Sequence, residues 1–334
     1  MSAITTVNRL DYVNIGLLIF SCILAFIMPF ELFLFAYGVL GPLHYLTEIS
    51  WLHDKNYYAT NKRDVILLII ISLFLTVTNL KQYIGLADFE IEYKWINRAI
   101  YVAFASSLFF AFIKNNVYKI VGVIVVILLS AISDEHMLFF SMFLPTLIHV
   151  YVFTLLFMLY GALKNSSKVG YISVVLHFII PFILFFVFQD TIFVGVTSYG
   201  LKSYKEEFVN LNNTLIHFLD AKSAGEKDMI QLIFHSQTGI AVMRFIAFAY
   251  TYHYLNWFSK TKVIGWHEIP KSRALLILVL WIVSVALYVV DYSLGFKWLF
   301  LLSFMHVMVE FPLNYISFVG IFKEIFKSKQ TASH

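Results

Sequence analysis

The chain has one cysteine, Cys22, which excludes a disulfide framework and any cysteine-ligated metal centre. Charge is scarce as well. Asp, Glu, Lys and Arg supply 13% of the residues, about half the share usual in soluble domains. There is no Walker loop, no GxGxxG following a strand, no HExxH zincin motif and no CxxCH haem-attachment site. The HxxxH and HxxHH boxes of membrane desaturases and hydroxylases are missing too. No basic-aromatic surface for nucleic acid is recognised, so nucleic acid is not an expected partner.

What fills the space instead is apolar. Of 334 residues, 60% are hydrophobic and 18% aromatic, against about 45–50% apolar in soluble domains. The expected fold is therefore all-α, a polytopic integral membrane bundle forming a single transmembrane domain over 1–334. Apolar runs of about 17–25 residues suit a membrane crossing, and about ten are found. They cover Tyr12–Met28, 30–53, Asp64–Leu80, Asn97–Ile113, Val117–Ile132, His136–Leu163, Gly170–Phe188, 229–258, Ala274–Val290 and 297–322. The first run has no small-residue cleavage site and flows into the second, so no cleavable signal is expected. Placing both termini in the cytoplasm puts the clusters Lys62–Arg63, Lys114–Lys119, Lys260–Lys262, Lys271–Arg273 and Lys323–Lys329 on the inner side, as the positive-inside rule asks. A bacterial inner membrane is the expected location.

An insertion at about 191–229 interrupts the pattern. Leu211, Leu215, Phe218 and Leu219 recur near helical spacing, which reads as an amphipathic helix on the outer face. Two roles are open to it, a connector resting on the bundle or a lid over a lateral substrate entrance.

Polar side chains inside a span are costly and face a protein interior with a partner. The stretch from Met243 to His267 is apolar and aromatic, yet carries Arg244, His253 and Asn256. For Arg244 the sequence offers Asp190 or Asp291 as salt-bridge partner; for Asn256 it offers a ligand shell or a neighbouring helix. Eleven histidines occur in all. His53, His136, His217, His235, His267 and His334 fall at boundaries, in the insertion or at the end of the chain. Five fall within spans: His44, His149, His177, His253 and His306. One buried imidazole is ordinary core furniture. Five at similar depth suggest a shared metal, since neutral imidazole is the commonest metal ligand.

Two of these histidines have a glutamate four residues on, His44 with Glu48 and His306 with Glu310. Residues so spaced share a helix face, and a carboxylate beside a ligating histidine orients it or takes its second ring proton. Pro42 and Pro312 flank the two pairs and suggest local helix breaks. The expected ligands are His44, His149, His253 and His306, with His177 in reserve and Glu48 and Glu310 as supporting carboxylates in the catalytic role.

GPLHYLTE around His44 and Glu48, TLIHVYVF around His149, YTYHYLNWF around His253 and FMHVMVEF around His306 and Glu310 together resemble motifs of the Brp/Blh family of membrane β-carotene 15,15′-dioxygenases. Trp257 stands where that family's later helix carries a second histidine. The resemblance implies a non-haem Fe(II) centre that activates O2 against a lipid-soluble, carotenoid-like alkene. The residues alone suit several metals, because imidazole accepts Fe, Zn, Cu and Ni alike. Other readings stand beside it: a haem-binding electron-transfer protein with two axial histidines, a transporter or channel with an intramembrane His/Glu relay, and a subunit of a larger membrane complex.

Overall fold

The computed structural model describes residues 3–55, 64–81, 85, 91–187, 193–219, 228–260, 265 and 268–331, and among them every regular element is helical. The elements are α1 (Ala3–Ile27), α2 (Pro29–Lys55), α3 (Asp64–Leu80), α4 (Tyr93–Phe112), α5 (Asn116–Ser130), α6 (Asp134–Phe143), α7 (Leu144–Asn165), α8 (Lys168–Phe186), α9 (Ser198–Ser203), α10 (Val209–Leu219), α11 (Met229–His235), α12 (Gln237–Ser259), α13 (Lys271–Val290) and α14 (Tyr292–Thr331).

Seven of the described helical stretches are long and apolar enough to cross a membrane, and α11 with α12 makes an eighth if that pair, bent by 64°, counts as one span. Two further apolar helices are shorter, α3 (Asp64–Leu80) with 17 residues and α5 (Asn116–Ser130) with 15. These two are the runs by which the expected ten exceed the eight counted with that pair. Isoleucine, leucine, valine and phenylalanine crowd the exposed faces of α1, α3, α5, α8 and α13, as a lipid-facing surface requires. Several hydroxyls on these helices bond within their own helix, as in Ser72 to the Leu68 carbonyl, Ser130 to Ile127 and Ser284 to Leu280.

At the centre stands α12. From Gly239 to Asn256 nearly every residue is buried, and the helix packs on α1, α2, α7, α8, α10 and α11. A helix apolar on all sides belongs inside a bundle rather than on its edge. A large apolar cluster surrounds it, while a second links Leu68, Leu75, Phe104, Leu144, Phe304 and Met308 of α3, α4, α7 and α14. His149 and His306 lie beside the seam between the two clusters.

Among the described residues three segments depart from α-geometry into wider π turns, two of them beside the histidines. Residues Ala36–Leu40 of α2 and Leu144–Phe153 of α7 are π-helical, and Gly41 N–H reaches back five residues to the Ala36 carbonyl. Such wide turns are uncommon and recur at functional sites. Here they lead into His44 and contain His149. Proline does not break the chain where the sequence suggested. α2 continues through Pro42 and α14 through Pro312.

The 191–229 insertion holds α9, a π-helical turn at Tyr204–Phe208, and α10. Its buried face is Asn212, Leu215 and Ile216, whereas Phe218 and Leu219 are exposed. The inward stripe is thus rotated from the sequence expectation, because α10 continues the register of the preceding π turn. Asp291 pairs with Lys202 at 3.0 Å, not with Arg244. That arginine is fully buried with its guanidinium 4.8 Å above the Phe26 ring. Asp190, the other expected partner, lies outside the described residues, as do Trp266, His267 and His334.

Candidate metal centre

Four imidazoles from four helices close into a ring. His44 (α2) faces His253 (α12) at 4.7 Å between centroids, His253 faces His149 (α7) at 4.9 Å, His149 faces His306 (α14) at 5.1 Å, and His306 faces His44 at 5.3 Å. Each neighbouring pair meets edge to face, with interplanar angles from 67° to 81°. All four rings are buried.

The nitrogen positions are more specific than the rings. His253 Nε2 lies 3.1 Å from His44 Nε2, and His306 Nε2 lies 3.2 Å from His149 Nε2. Glu48 Oε2 is 3.0 Å from His44 Nε2. Glu310 Oε2 is 2.9 Å from His149 Nδ1, a pairing across α14 and α7 rather than with His306 on its own helix. Neither carboxylate contact is aligned as a hydrogen bond, since Glu48 Oε2, Glu310 Oε2 and His149 Nδ1 are all buried without a hydrogen-bond partner. Acceptors left unpaired in a dry interior are costly, and a cation beside Glu48 Oε2, Glu310 Oε2 and the histidine nitrogens would remove that cost.

A tautomer argument sharpens the point. Thr154 Oγ1 sits 2.8 Å from the Val150 carbonyl and 2.7 Å from His253 Nδ1. Its single proton goes to the carbonyl, which can only accept. The threonine oxygen therefore accepts from His253 Nδ1–H. His253 Nε2 is consequently unprotonated, with its lone pair turned toward the other histidines. Orientation of a ligating histidine through its far nitrogen is the usual support of a metal site.

The donor set fits a divalent metal. Imidazole nitrogens about 2.1 Å from one cation stand about 3.0 Å apart when cis on an octahedron and about 3.4 Å apart on a tetrahedron. The contacts of 3.1 and 3.2 Å fall between these two values. Two combinations of side chains bring one donor atom each within 4.8 Å of the others, His44 with His149 and His253, and His44 with Glu48 and His306.

Aromatic groups fix the ring from outside. Tyr45 stacks on His306 at 4.1 Å and 24°, and its hydroxyl shares a 2.8 Å hydrogen bond with that of Tyr254. The two hydroxyls lie over Gly41, where an added Cβ would meet them at 3.0 and 3.2 Å. Trp257 meets the His44 ring edge-on at 5.4 Å while its indole N–H donates to Thr47 Oγ1 at 3.0 Å.

His177 does not join the ring. It stacks on Tyr151 at 4.5 Å, its Nε2 is 3.4 Å from the Tyr151 carbonyl, and Tyr252 lies 5.2 Å away. It is a core histidine. Asn256 reaches a neighbouring helix, donating to Asn14 Oδ1 at 3.0 Å, and accepts from Lys260 Nζ at 2.7 Å. Lys260 therefore turns inward instead of standing in a solvated basic turn. Burial pushes its ammonium down to about 8, against the pull of Glu310, Glu48 and Asp11. Of the boundary histidines, His53 and His235 are exposed.

Sequence reasoning missed Thr154 and Tyr45. A threonine on the same helix as an intramembrane histidine was the available signal for the first. Nothing in the sequence pattern marked the second.

A cavity of about 180 Å³ borders the ring on the side of His149 and His306, walled by Tyr37, Tyr45, Tyr250, Tyr254, Phe296 and Phe300. Comparison of the chain with protein-family models, characterised proteins and solved structures finds no match. The chemistry of the site is therefore read from its own geometry.

Proposed function

We propose that the protein is a membrane-embedded, metal-dependent oxygenase, with non-haem iron as the metal, acting on a lipophilic alkene. The observation that carries this reading is the closed ring of His44, His149, His253 and His306 with Nε2 atoms 3.1–3.2 Å apart, next to an aromatic-walled cavity. An imidazole-rich set suits Fe(II) among the divalent metals. The motif resemblance around these four histidines points to the same metal.

Iron(II) held there would supply the one-electron chemistry that lets O2 react with a carbon–carbon double bond. If the reaction is a cleavage, one alkene and one O2 give two carbonyl products, so the atoms balance with no external reductant. The protein's part is to bind, orient and exclude water. Tyr45 and Trp257 hold the imidazole planes, Thr154 sets the tautomer of His253, and Glu48 and Glu310 supply negative charge beside His44 and His149. Apolar walls keep water from competing with the substrate.

The packing argues against haem. Axial imidazoles on one iron stand about 4 Å apart across a flat macrocycle, whereas these nitrogens are closer and their rings meet edge to face. A His/Glu relay for transport is the remaining rival. Oxygen uptake by Fe(II)-loaded protein with a β-carotene probe in detergent tests the proposal. Uptake with carbonyl product, lost in His149→Ala and His306→Ala, is expected; metal-free protein that moves protons across liposomes would instead favour the relay.

A further inference from the structure

The cavity beside the histidines has a second chamber. A space of about 530 Å³ adjoins it and extends to the 198–219 segment. The two share Tyr37, Ile100, Ser141, Thr146, Tyr250 and Phe296 among their walls, so these side chains form the waist at which the two chambers meet. At the waist Tyr37 stacks on Phe296 at 5.6 Å and meets Tyr250 at 5.8 Å.

The two ends differ in chemistry. The inner end is tyrosine, phenylalanine and the histidine ring. The outer end carries Asn97, Asn210, Asn213 and Thr214, with Glu207 as the charged group on its wall. Asn210 is exposed and marks the rim. Asn97 Oδ1 already accepts from Ser141 Oγ at 2.7 Å. Asn213 Oδ1 is buried with no hydrogen-bond partner among the described residues, which leaves the mouth with acceptor capacity to spare. Glu207 is held by the Ser293 hydroxyl and by Lys297 at 3.5 Å. A carboxylate beside a second carboxylate is disfavoured, while a hydroxyl donates well to amide and carboxylate oxygens.

We propose that the passage binds a single-headed amphiphile, with a hydroxyl head held among the amides of the mouth and a hydrocarbon tail threaded past the Tyr37 waist to the histidine ring. This rests on the oxygenase reading for what happens at the tail, but not for the binding itself. Pockets for ligands of lipid or drug size measure about 300–1,000 Å³, a range that the outer chamber of about 530 Å³ falls within before the inner one is added. The head fixes how deep the tail reaches, so it sets which carbon meets the ring. The α9–α10 segment is then the frame of an entrance, not a passive connector.

The test is fluorescence binding of three probes that share one conjugated tail, parinaryl alcohol, parinaric acid and the headless tetraene, to the detergent-purified full chain loaded with Fe(II). The alcohol is expected to bind best and the acid no better than the hydrocarbon. Asn213→Leu and Asn97→Leu should each weaken the alcohol by about three- to tenfold, the worth of one hydrogen bond, and leave the hydrocarbon unchanged. Thr146→Trp, which plugs the waist, should abolish binding of all three. Equal affinity for alcohol and hydrocarbon, or undiminished binding in Thr146→Trp, overturns the proposal. Iron content on the same samples separates the two readings: an iron-free protein that still prefers the alcohol sinks the oxygenase and keeps the amphiphile site, while an iron-loaded protein indifferent to the head does the reverse.

Discussion

Thr154 accepts a hydrogen bond from His253 Nδ1 over 2.7 Å, and in doing so turns the Nε2 lone pair of that histidine toward His44, 3.1 Å away. One neutral hydroxyl on α7 thereby decides the protonation pattern of an imidazole on α12. The rest of the ring is built in the same way, each histidine arriving on its own helix and being oriented by a group from another.

Thr154→Val keeps the shape but removes the acceptor, leaving a buried N–H unpaired at a cost of about 1–3 kcal/mol. Metal affinity should fall by about 10–100-fold, the usual effect of losing the group behind a ligating histidine. Thr154→Ser should restore it. Titration with Co(II), followed by its visible absorption, reads both. Equal affinity in valine and serine variants would remove Thr154 from the account.

Glu310 and His149 supply the second test. Their contact of 2.9 Å crosses two helices, so Glu310→Gln should perturb the His149 side of the ring. Glu48→Gln should act through His44, 3.0 Å from its carboxylate. Each variant is expected to lower metal occupancy after dialysis against a chelator while the fold persists by circular dichroism. Full occupancy in both would make the carboxylates bystanders.

His177 gives the contrasting expectation. It is buried against Tyr151 and Tyr252, so His177→Phe should cost about 1–3 kcal/mol of stability through repacking and leave metal content intact. Loss of metal in that variant would place the site elsewhere.

Lys260 carries a pH signature. Its pKa is lowered to about 8 in the folded protein from an ordinary value of 10.5, so between those limits the unfolded chain binds more protons. Stability must then rise with pH across that window, and the cost of burying the charged ammonium is fully present below about 8. Lys260→Met should raise the melting temperature at pH 7 and show a flatter pH dependence from 8 to 10 than the wild type. Parallel curves for the two proteins would contradict this.

The histidine ring was legible because polar groups are so rare in these spans. His44, His149, His253 and His306 stand out against an apolar background, and cost alone implies a common interior. His177 stood out equally, yet it packs against Tyr151 and Tyr252 outside the ring, because a polar residue signals an interior position and not which partners it meets there. The Glu310–His149 pairing was hidden behind a stronger local signal, the helical spacing of His306 and Glu310. The π-helical turns at Ala36–Leu40 and Leu144–Phe153 leave no periodicity to find, and they rotate side chains in ways a 3.6-residue repeat misplaces. At α5 the apolar run is as greasy as a crossing helix but has 15 residues, fewer than the about 17–25 of a typical span.

The most direct measurement is elemental analysis of the detergent-purified full chain beside His253→Ala, with absorption spectra of both. The account predicts about one iron per chain in the wild type, no Soret band, and loss of the metal in the variant. Wild-type protein that holds no metal even after incubation with Fe(II), or a His253→Ala protein that keeps it in full, would contradict the metal centre.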